Sequence, residues 1–521
     1  MLPIKFIAIS LMMMSSVITA FDILILAPFP YHSNWLYMEN FIEALLKRGH
    51  YLTTISPFLY KRNPDVENLK QIIISRYPIE KEYSSKDVFT GGFDSDIKYI
   101  QTQYKIGLHL SEHALNDSAV KKFIKKRENK FDVILADNSH QESLFMFAHK
   151  FNCPLITVDI NSHSSNMDEV MGILTQPSFV PHPATKYGKE MTFIQRSYNT
   201  LLYFYETAVR RFSYMPAQNK LARKYFKDAF DGEIPDLSVV QKRISVILSN
   251  THRLTNTRPK MAAQVDIAGA HLKEKYDALP AYLHNAIENS KHSIVFFSFG
   301  SYINSGEMPK EKINQILEAF RNTKKTIFWK FDGDIPEGVP ENVIIQNWFP
   351  QNELLSNPVV TLFITSGSSL SFQEAIYHRI PMLIIPLTGE QYRNGLEAEK
   401  NGYGKILMFD DINEKTLAEA IVEITTDKSY FSNVNTAYSK FTDNPIEPMK
   451  EAIYWIQHVA KFGGLEKSPS VNYSWFTYYN LDVAAFYFLI FIIVVIFWIV
   501  TIKLILNRYR KREERGKFKY Y

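Results

Sequence analysis

The stretch that decides the fold runs from residue 348 to residue 391 and reads WFPQNELLSNPVVTLFITSGSSLSFQEAIYHRIPMLIIPLTGEQ. Its apolar run VVTLFIT ends in the small-residue loop SGSS, and a segment with helical spacing, FQEAIYH, follows directly. A second apolar run, PMLIIPL, comes after a short turn. This order predicts strand, loop, helix and strand, the unit from which parallel α/β sheets are built.

The SGSS loop, residues 366–369, has two interpretations on local sequence alone. If the loop opens a helix, its backbone N–H groups lie at the helix N-terminus, where proteins commonly bind a diphosphate. The alternative is purely structural, because Ser371 and Glu374 have the S-x-x-E spacing of a capping box that closes a helix start. The loop by itself favours neither interpretation.

The same alternation of strand and helix recurs on both sides of this stretch. In the first half the predicted strands read DILILAPF, YLTTISPF, FDVILAD and CPLITVDI, and in the second half SIVFFSFGS, TIFWKF and NVIIQNW. The pattern predicts two Rossmann-like α/β domains, 21–275 and 285–460, that face each other across a cleft. Ligands of such sheets bind beyond the carboxyl ends of the strands. Residues 172–240 fit neither rhythm, and either line an apolar acceptor pocket or serve core packing.

Composition is that of an ordinary globular protein, with 46% hydrophobic and 22% charged residues among 521. The net charge is +5, but residues 503–521 alone carry eight Lys or Arg and two Glu, so the rest of the chain is close to neutral. This distribution argues against a nucleic-acid-binding surface and for a membrane-flanking tail. No metal-ligand cluster and no Walker-type loop is evident in the sequence.

Both ends of the chain predict targeting to a membrane. Residues 1–20 have an early Lys5, a short apolar run and Ala20 at the end, which is typical of a signal peptide. Residues 484–502 contain no charge and are long enough to cross a bilayer. Because the basic tail 503–521 follows, the positive-inside rule places the tail in the cytosol and the body in the lumen, as a single-pass type I protein.

Three smaller features belong to this topology. Asn116 and Asn472 begin N-x-S sequons, which become glycosylation sites if the body is lumenal. The only cysteine, Cys153, excludes a disulfide within the chain and is expected to be a buried, unreactive thiol. Lys517 and Lys519 have the spacing of a retrieval signal for the endoplasmic reticulum, or belong to a solvated charge run.

The 348–391 stretch closely resembles the donor-binding signature of the UDP-glycosyltransferase family. The segments FSFGS, FDGDIPEGVPENVIIQNW, MTFIQRS and FDVILAD, and the C-terminal anchor, lie where that family has them. The resemblance implies a two-domain fold of the glycosyltransferase B type in the endoplasmic reticulum membrane. It also implies inverting transfer of glucose or glucuronate from a UDP-sugar, with no further cofactor, to a small lipophilic acceptor. Members often self-associate, so a homo-oligomer is also expected.

The resemblance also assigns roles to individual residues. Trp348 is expected to stack on the uracil, Gln351 and Glu374 to hold the ribose, and Glu390 with Gln391 to bind hydroxyls of the sugar. The remaining donor-binding residues belong to the two loops that match the family's FSFGS and SGSS positions, and are Gly300, Ser301, Ser366, Gly367, Ser368 and Ser369.

The chain departs from the family pattern at positions where the chemistry is sensitive. Most members have His where this chain has Ser366, and Gly where it has Ser368. The family's catalytic His falls at Asn34, and asparagine cannot accept a proton at neutral pH. Its partner acid matches Asp137, and His32, two residues before Asn34, is the substitute base that a small loop shift would bring to this acid. The alternative to an active transferase is a degenerate member that binds a lipophile or a partner chain.

Overall fold

The structure is a computed structural model of the chain. It describes residues 20–62, 66–82, 84–90, 95–161, 165–173, 175–252, 263–273, 276–290, 292–465 and 467–517. The predicted signal peptide, apart from Ala20, lies outside the described residues, and so does Lys519 of the predicted retrieval signal.

Seven parallel strands form the first sheet. Its spatial order is β3-β2-β1-β4-β5-β6-β7, and every neighbouring pair runs parallel. The central strands form because continuous apolar runs such as VILAD and LITVD bury every residue between two helical layers. The strands are β1 (Asp22–Leu26), β2 (Tyr51–Ser56), β3 (Leu69–Ile73), β4 (Val133–Asp137), β5 (Leu155–Asp159), β6 (Ile244–Ser249) and β7 (Gln264–Asp266).

Six parallel strands form the second sheet, in the order β10-β9-β8-β11-β12-β13. This is the doubly wound order of a dinucleotide-binding fold, 3-2-1-4-5-6 when counted within the domain. The strands are β8 (Ile294–Ser298), β9 (Thr326–Lys330), β10 (Val343–Gln346), β11 (Val360–Thr365), β12 (Met382–Ile384) and β13 (Gly404–Ile406). The two sheets confirm the predicted pair of Rossmann-like domains.

Helices cover both faces of each sheet, and buried apolar clusters lie on either side. The helices of the first part of the chain are α1 (His32–Leu46), α2 (Ser85–Phe89), α3 (Asp96–Asn116), α4 (Ser118–Lys125), α5 (Met146–Lys150), α6 (Ser165–Val170), α7 (Phe193–Val209), α8 (Met215–Phe226) and α9 (Leu237–Gln241). Those of the second part are α10 (Ala281–Glu288), α11 (Lys310–Arg321), α12 (Gln351–Leu355), α13 (Ser369–Tyr377), α14 (Gly389–Lys400), α15 (Glu414–Thr426), α16 (Lys428–Thr442), α17 (Pro448–Phe462), α18 (Trp475–Tyr478) and α19 (Leu481–Lys517).

Helix α17 returns to the first domain although it follows the second domain in sequence. Its apolar side chains Ala452, Ile453, Ile456 and Val459 are buried with Phe41 and other residues around the first sheet. The helix thereby ties the end of the globular body to the first domain. The limits 21–275 and 285–460 remain predictions.

Helix α19 is long and apolar enough to cross a membrane, by length and composition. The most apolar 18-residue window within residues 481–513 has a mean hydropathy of 3.1, and none of this window is buried in the body. The predicted span 484–502 lies within this helix, and the helix continues through the first part of the basic tail.

Candidate functional site

The candidate site lies in the cleft between the two sheets, at the point where each strand order reverses. In the first sheet this point lies between β1 and β4, and in the second between β8 and β11. Loops at the carboxyl ends of these four strands carry most of the residues that the sequence singled out. Parallel sheets bind ligands at such switch points because adjacent loops diverge there and leave a crevice.

The SGSS loop connects β11 to α13 in a conformation that requires glycine at one position. Gly367 has φ +82°, and a Cβ there would lie 2.8 Å from Cγ2 of Ile384. Its N–H donates to Oγ1 of Thr365 over 3.2 Å, and its carbonyl accepts from Nδ2 of Asn394 over 2.8 Å. These contacts hold the loop so that the N-terminus of α13 faces the crevice.

Helix α13 starts after Ser368, which occupies the N-cap position without a capping bond from its own side chain. Ser371 therefore lies inside the helix, and Glu374 bonds elsewhere, so the capping-box interpretation is wrong. The N–H groups of the first helical turn have no acceptor within the helix, which is the arrangement that binds phosphate oxygens.

The other serines of the loop are differently engaged. Ser366 is 1% exposed, and its hydroxyl donates over 3.5 Å to the carbonyl of Phe299. The hydroxyl of Ser369 donates to a carboxylate oxygen of Glu390. A diphosphate in this loop would therefore be held mainly by backbone N–H groups, because Ser366 faces the protein.

A compact polar cluster lies along the first two turns of α13, beside α12. The side-chain amide of Gln351 donates to Glu374 and, over 3.1 Å, to Oγ of Ser371. Nδ2 of Asn352 donates to the second carboxylate oxygen of Glu374 over 2.8 Å. The structure thus brings together the two residues predicted to hold the ribose. Asn352 is an addition that sequence reasoning missed, although it directly follows Gln351.

Trp348 lies in the loop that leads from β10 to this cluster. Its side chain is 42% exposed, so an indole face is available for stacking on a planar base. Its ring meets the ring of His32 edge to face, with centroids 5.0 Å apart.

At the opposite end of the crevice, Glu390 and Gln391 are the second and third residues of α14. Burial raises the pKa of the Glu390 carboxyl. The side-chain amide oxygen of Gln391, Oε1, accepts from the backbone N–H groups of Leu387 and Thr388, at 2.8 and 3.0 Å, and so caps the helix. For a sugar hydroxyl, Gln391 can therefore offer only its amide N–H groups, while Glu390 offers carboxylate oxygens.

The loop after β8 brings Gly300 and Ser301 to the domain boundary. Gly300 has φ +83°, and its carbonyl accepts from Nζ of Lys330 over 3.1 Å. The hydroxyl of Ser301 donates over 2.8 Å to that of Ser33 in the first domain. In this closed arrangement Ser301 links the domains.

Asn34, at the position that the resemblance assigns to the family's base, belongs to a continuous hydrogen-bond chain. Nδ2 of Asn34 donates to Oδ2 of Asp137 over 3.4 Å, and Oδ1 of Asn34 accepts from the hydroxyl of Tyr302. The Tyr302 oxygen in turn accepts from Nδ2 of Asn161 over 2.5 Å, and the second oxygen of Asp137 accepts from Ser139 over 2.6 Å. Tyr302 belongs to the second domain, so the chain crosses the cleft.

Asp137 is the titratable member of this chain. The carboxyl is 3% exposed, and burial raises its pKa to about 6 against the opposing effect of the bonds from Ser139 and Asn34. At neutral pH the carboxylate form dominates. Such a group can orient a base, but the groups that bond it here are the Asn34 amide and the Ser139 hydroxyl rather than an imidazole.

His32 does not lie beside Asp137. It is the first residue of α1, and its ring packs against Trp348 and against Phe58, with the latter centroid 5.4 Å away. Burial lowers the pKa of this imidazole. The structure therefore places His32 beside Trp348, and a role as substitute base stays a prediction that requires the α1 N-terminus to move.

A cavity of about 270 Å³ adjoins this chain. Ser368, Glu390 and Gln391, which the sequence predicts to bind the donor, line the cavity together with Asp137. The rest of the lining is mixed. Its aromatic and aliphatic residues are Phe29, Tyr31, Ile79, Tyr99, Ile100, Tyr104, Ile106, Ile160, Tyr302 and Ile303, and its polar residues include Gln103, Asn138, Ser139, His140, Asp159, Asn161 and Thr388. His182, Pro183 and Glu206 come from the segment 172–240, which therefore contributes both to this cavity and to core packing.

The sequons and the cysteine occupy different environments. Asn116 and Asn472 are exposed, and their amide oxygens accept from Lys121 and Lys242 at 2.7 and 2.8 Å. Cys153 is 3% exposed, and burial raises the pKa of its thiol to about 12. Its environment is that of a buried, unreactive side chain, as the sequence predicted.

Two facing Rossmann-like domains with a nucleotide-type loop at the switch point define a glycosyltransferase of the B type. The family described as UDP-glucoronosyl and UDP-glucosyl transferase matches residues 23–518, so the chain belongs to this family. It is 27% identical to UDP-glycosyltransferase UGT5 of Dactylopius coccus over 94% of this chain and 93% of the relative. It is 28% identical to human UDP-glucuronosyltransferase 1A6 over 87% of this chain and 86% of the relative.

Solved structures agree with the fold. The glycotransferase of kitacinnamycin superposes with a TM-score of 0.56 at 15% identity, over 84% of this chain and all but 1% of the other. A UDP-glucosyltransferase from Polygonum tinctorium gives 0.55 at 13% identity, over 85% of this chain and 99% of the other.

Proposed function

We propose that the protein transfers glucose or glucuronate from a UDP-sugar to a hydroxyl of a small lipophilic acceptor, with inversion at the anomeric carbon. The observation that carries this proposal is the arrangement along α13. A preassembled amide and carboxylate cluster involves Ser371 and Glu374, in the first two turns of the helix, and a backbone anion site with Glu390 beside Ser369 lies at the helix N-terminus.

The donor is held by groups matched to its parts. In this proposal Trp348 stacks on the uracil, and Glu374 accepts from the ribose hydroxyls while Gln351 and Asn352 hold the carboxylate in place. The first-turn N–H groups of α13 neutralise charge that develops on the departing UDP. Glu390 accepts from sugar hydroxyls and, with Gln391, positions the anomeric carbon beside the cavity.

The acceptor occupies the cavity between the domains and lies against its aromatic and aliphatic residues. The acceptor enters as a phenolate that has left its proton in bulk water. Its oxygen attacks the anomeric carbon from the face opposite UDP, and the bond from that carbon to the β-phosphate oxygen breaks, with its electron pair staying on UDP. The aromatic wall favours a planar lipophile, and its volume suits a small one. Support for a lipophilic acceptor comes from this lining.

Activation of the acceptor is where this chain departs from the family. Asn34 cannot take the proton, and Asp137 is already engaged by Asn34 and Ser139. Loss of a general base typically costs roughly 10² to 10⁴ in rate. The proposal therefore favours acceptors that ionise without help, such as acidic phenols, over aliphatic alcohols.

A second candidate function is binding without transfer, favoured by one observation. Asn161, Tyr302, Asn34, Asp137 and Ser139 satisfy one another's hydrogen bonds across the cleft. A network of this kind stabilises the closed body without a substrate. A lipophile-binding or partner-binding scaffold would need no more than this.

Titration of the purified full-length chain with UDP-glucose and UDP-glucuronate, followed by turnover against a panel of phenols, separates the two functions. Donor binding with turnover that rises with phenol acidity supports the transferase. If the wild type binds the donor without turnover and turnover appears only in Asn34→His, the protein is a disabled transferase. Absence of donor binding contradicts the catalytic proposal and leaves the scaffold.

We further propose that the chain is a single-pass type I protein of the endoplasmic reticulum membrane with its body in the lumen, acting in detoxification of lipophiles and able to self-associate. The exposed sequons support a lumenal body, because glycans are added only there. An endoglycosidase shift that disappears in the double variant Asn116→Gln, Asn472→Gln is expected. A chain without any glycan shift would contradict the proposed orientation.

A further inference from the structure

Helix α7, Phe193–Val209, has its apolar face towards solvent rather than towards the body. Phe193, Ile194, Leu201 and Phe204 are between 65 and 78% exposed, and Phe212, just beyond the helix, is 78% exposed. We call these five residues the apolar stripe. A helix on the surface of a globular protein normally has the reverse arrangement, with polar residues outside.

The helical residues of the stripe share one side of the helix. At about 100° per residue, Phe193, Leu201, Phe204 and Ile194 fall within an arc of roughly 100°. Ser197 lies within the same arc, and its hydroxyl donates to the helix carbonyl of Phe193 over 2.9 Å. This face of α7 therefore presents large apolar side chains over about three turns, from Phe193 to Phe204. The hydroxyl of Ser197 within it is already bonded to the helix backbone.

The end of the stripe lies next to the segment that enters the membrane anchor. A cavity beside the body is lined both by Arg211 and Met215, which follow α7, and by Val471 and Tyr473, which precede the anchor. Nζ of Lys242 donates to Oδ1 of Asn472 over 2.8 Å and so fixes this segment to the body.

The chain between that fixed point and the anchor is short. Residues 473–480 separate Asn472 from the start of α19 at Leu481, and an extended chain of this length reaches at most roughly 30 Å. Phe476 and Tyr479 are exposed within it, as is typical of the aromatic belt at a membrane interface. The body is consequently held close to the bilayer, with the stripe on a neighbouring surface.

We propose that the apolar stripe lies in the interface of the same bilayer that α19 spans, as an in-plane amphipathic helix. Large exposed apolar patches mark interaction sites, and an apolar helix face that adjoins a membrane anchor meets lipid without any further partner. The opposite face of α7 packs, through Leu202 and Tyr203, into the first domain. Leu202 shares a cluster with Ile100 and Tyr104, which line the cleft cavity, so the cavity lies one helix layer from the lipid.

The test uses the full-length chain in phosphatidylcholine nanodiscs, with a nitroxide attached to single introduced cysteines. Cys153 is buried and its thiol pKa is raised to about 12, so the unsubstituted chain should take no label, which is checked first. The reporters are Leu201→Cys and Phe204→Cys. The matched control is Val422→Cys, an exposed aliphatic position on α15 of the second domain.

Collision with oxygen, which concentrates in lipid, is compared with collision with a water-soluble nickel chelate. We expect the two stripe positions to lose nickel collisions and gain oxygen collisions relative to Val422→Cys. Nickel access equal to that of the control would overturn the proposal. Dipolar broadening that disappears on dilution with unlabelled chain would also overturn it, because the stripe would then face a second copy.

A combined variant tests the stripe without relying on the labelled positions. Phe193→Ser with Leu201→Ser, read out by a label at Phe212→Cys, should return that label to nickel-accessible water while α19 keeps the chain anchored. These positions are exposed, so the substitutions remove no buried contact. A Phe212 label that stays shielded from nickel in this variant would contradict a lipid contact made by the stripe.

Discussion

Replacement of Asn34 by histidine should supply a base at the position where the family has its catalytic histidine. Asn34 is 2% exposed and its amide nitrogen lies 3.4 Å from Oδ2 of Asp137. An imidazole on the same backbone position can donate one N–H to this carboxylate and turn its other nitrogen towards the cavity. Because the Asp137 pKa is about 6, the carboxylate is about 99% ionised at pH 8 and can hold the required tautomer.

The expected size of the gain follows from two opposing effects. General base catalysis contributes roughly 10² to 10⁴ in rate. The larger ring must share space with the Tyr302 hydroxyl, which now donates to Asn34. We therefore expect about 10² for Asn34→His alone and a larger gain when Tyr302→Phe removes the hydroxyl.

The assay is kcat for UDP release with two acceptors of different acidity. A phenyl-substituted alcohol should gain the full factor, whereas p-nitrophenol, which is substantially ionised at pH 8, should gain little. The control is Asn34→His in an Asp137→Asn background, where the imidazole loses its orienting partner and most of the gain should disappear.

An equal gain with both acceptors would refute the reasoning, because proton abstraction would then not be the missing step. So would a gain below about threefold in a variant that still binds UDP and retains its thermal midpoint.

Three further predictions concern the donor site and stability. Glu374→Gln should weaken UDP binding by about tenfold to a hundredfold, because a hydrogen bond to a charged group contributes about 1.5–3 kcal/mol. Titration calorimetry measures the UDP affinity, with Glu341→Gln at an exposed position as the control. Gly367→Ala should lower the thermal midpoint and UDP affinity more than Gly300→Ala, since both have positive φ but only Gly367 has a side chain within 3 Å of the new Cβ; equal effects would contradict this. Asp137→Asn should stabilise the fold at pH 7.5 but not at pH 4. Because folding raises the pKa of Asp137 to about 6, the wild-type free energy of unfolding falls as the pH rises from about 4 through about 6, by roughly 3 kcal/mol in total. Thermal midpoints of both chains at the two pH values check this.

Most interior strands could be predicted because each is a continuous apolar run bounded by turn residues, but the equally buried β6, ISVILS, was missed. FDVILAD and VVTLFIT became β4 and β11 for this reason. The edge strand β3, LKQII, was not predicted, since an edge strand carries polar residues and only Ile72 is buried. The strands β7 and β13, of three residues each, are too short for any periodicity to show. The packing of α17 on the first domain is a tertiary event that leaves no local signal.

The site was predictable to the extent that its residues lie close in sequence. Gln351 and Glu374 were paired through the resemblance of their stretch to the family's donor-binding signature, and they bond in the structure. Tyr302 and Asn161 were missed, because their roles depend on how two domains approach. Tyr302 meets Asn34 across 268 positions of sequence, and no pattern in one chain encodes such a contact.

Transfer of a sugar with inversion is tested directly by the anomeric configuration of the product. Full-length chain is incubated with UDP-glucose or UDP-glucuronate, both α-linked, and an acidic phenol, and the product is examined by proton NMR while UDP is counted. We expect a β-linked glycoside that forms one for one with UDP. An α-linked product would contradict inversion, and UDP release without any glycoside, or no reaction at all with a phenol that is fully ionised, would contradict the transferase itself.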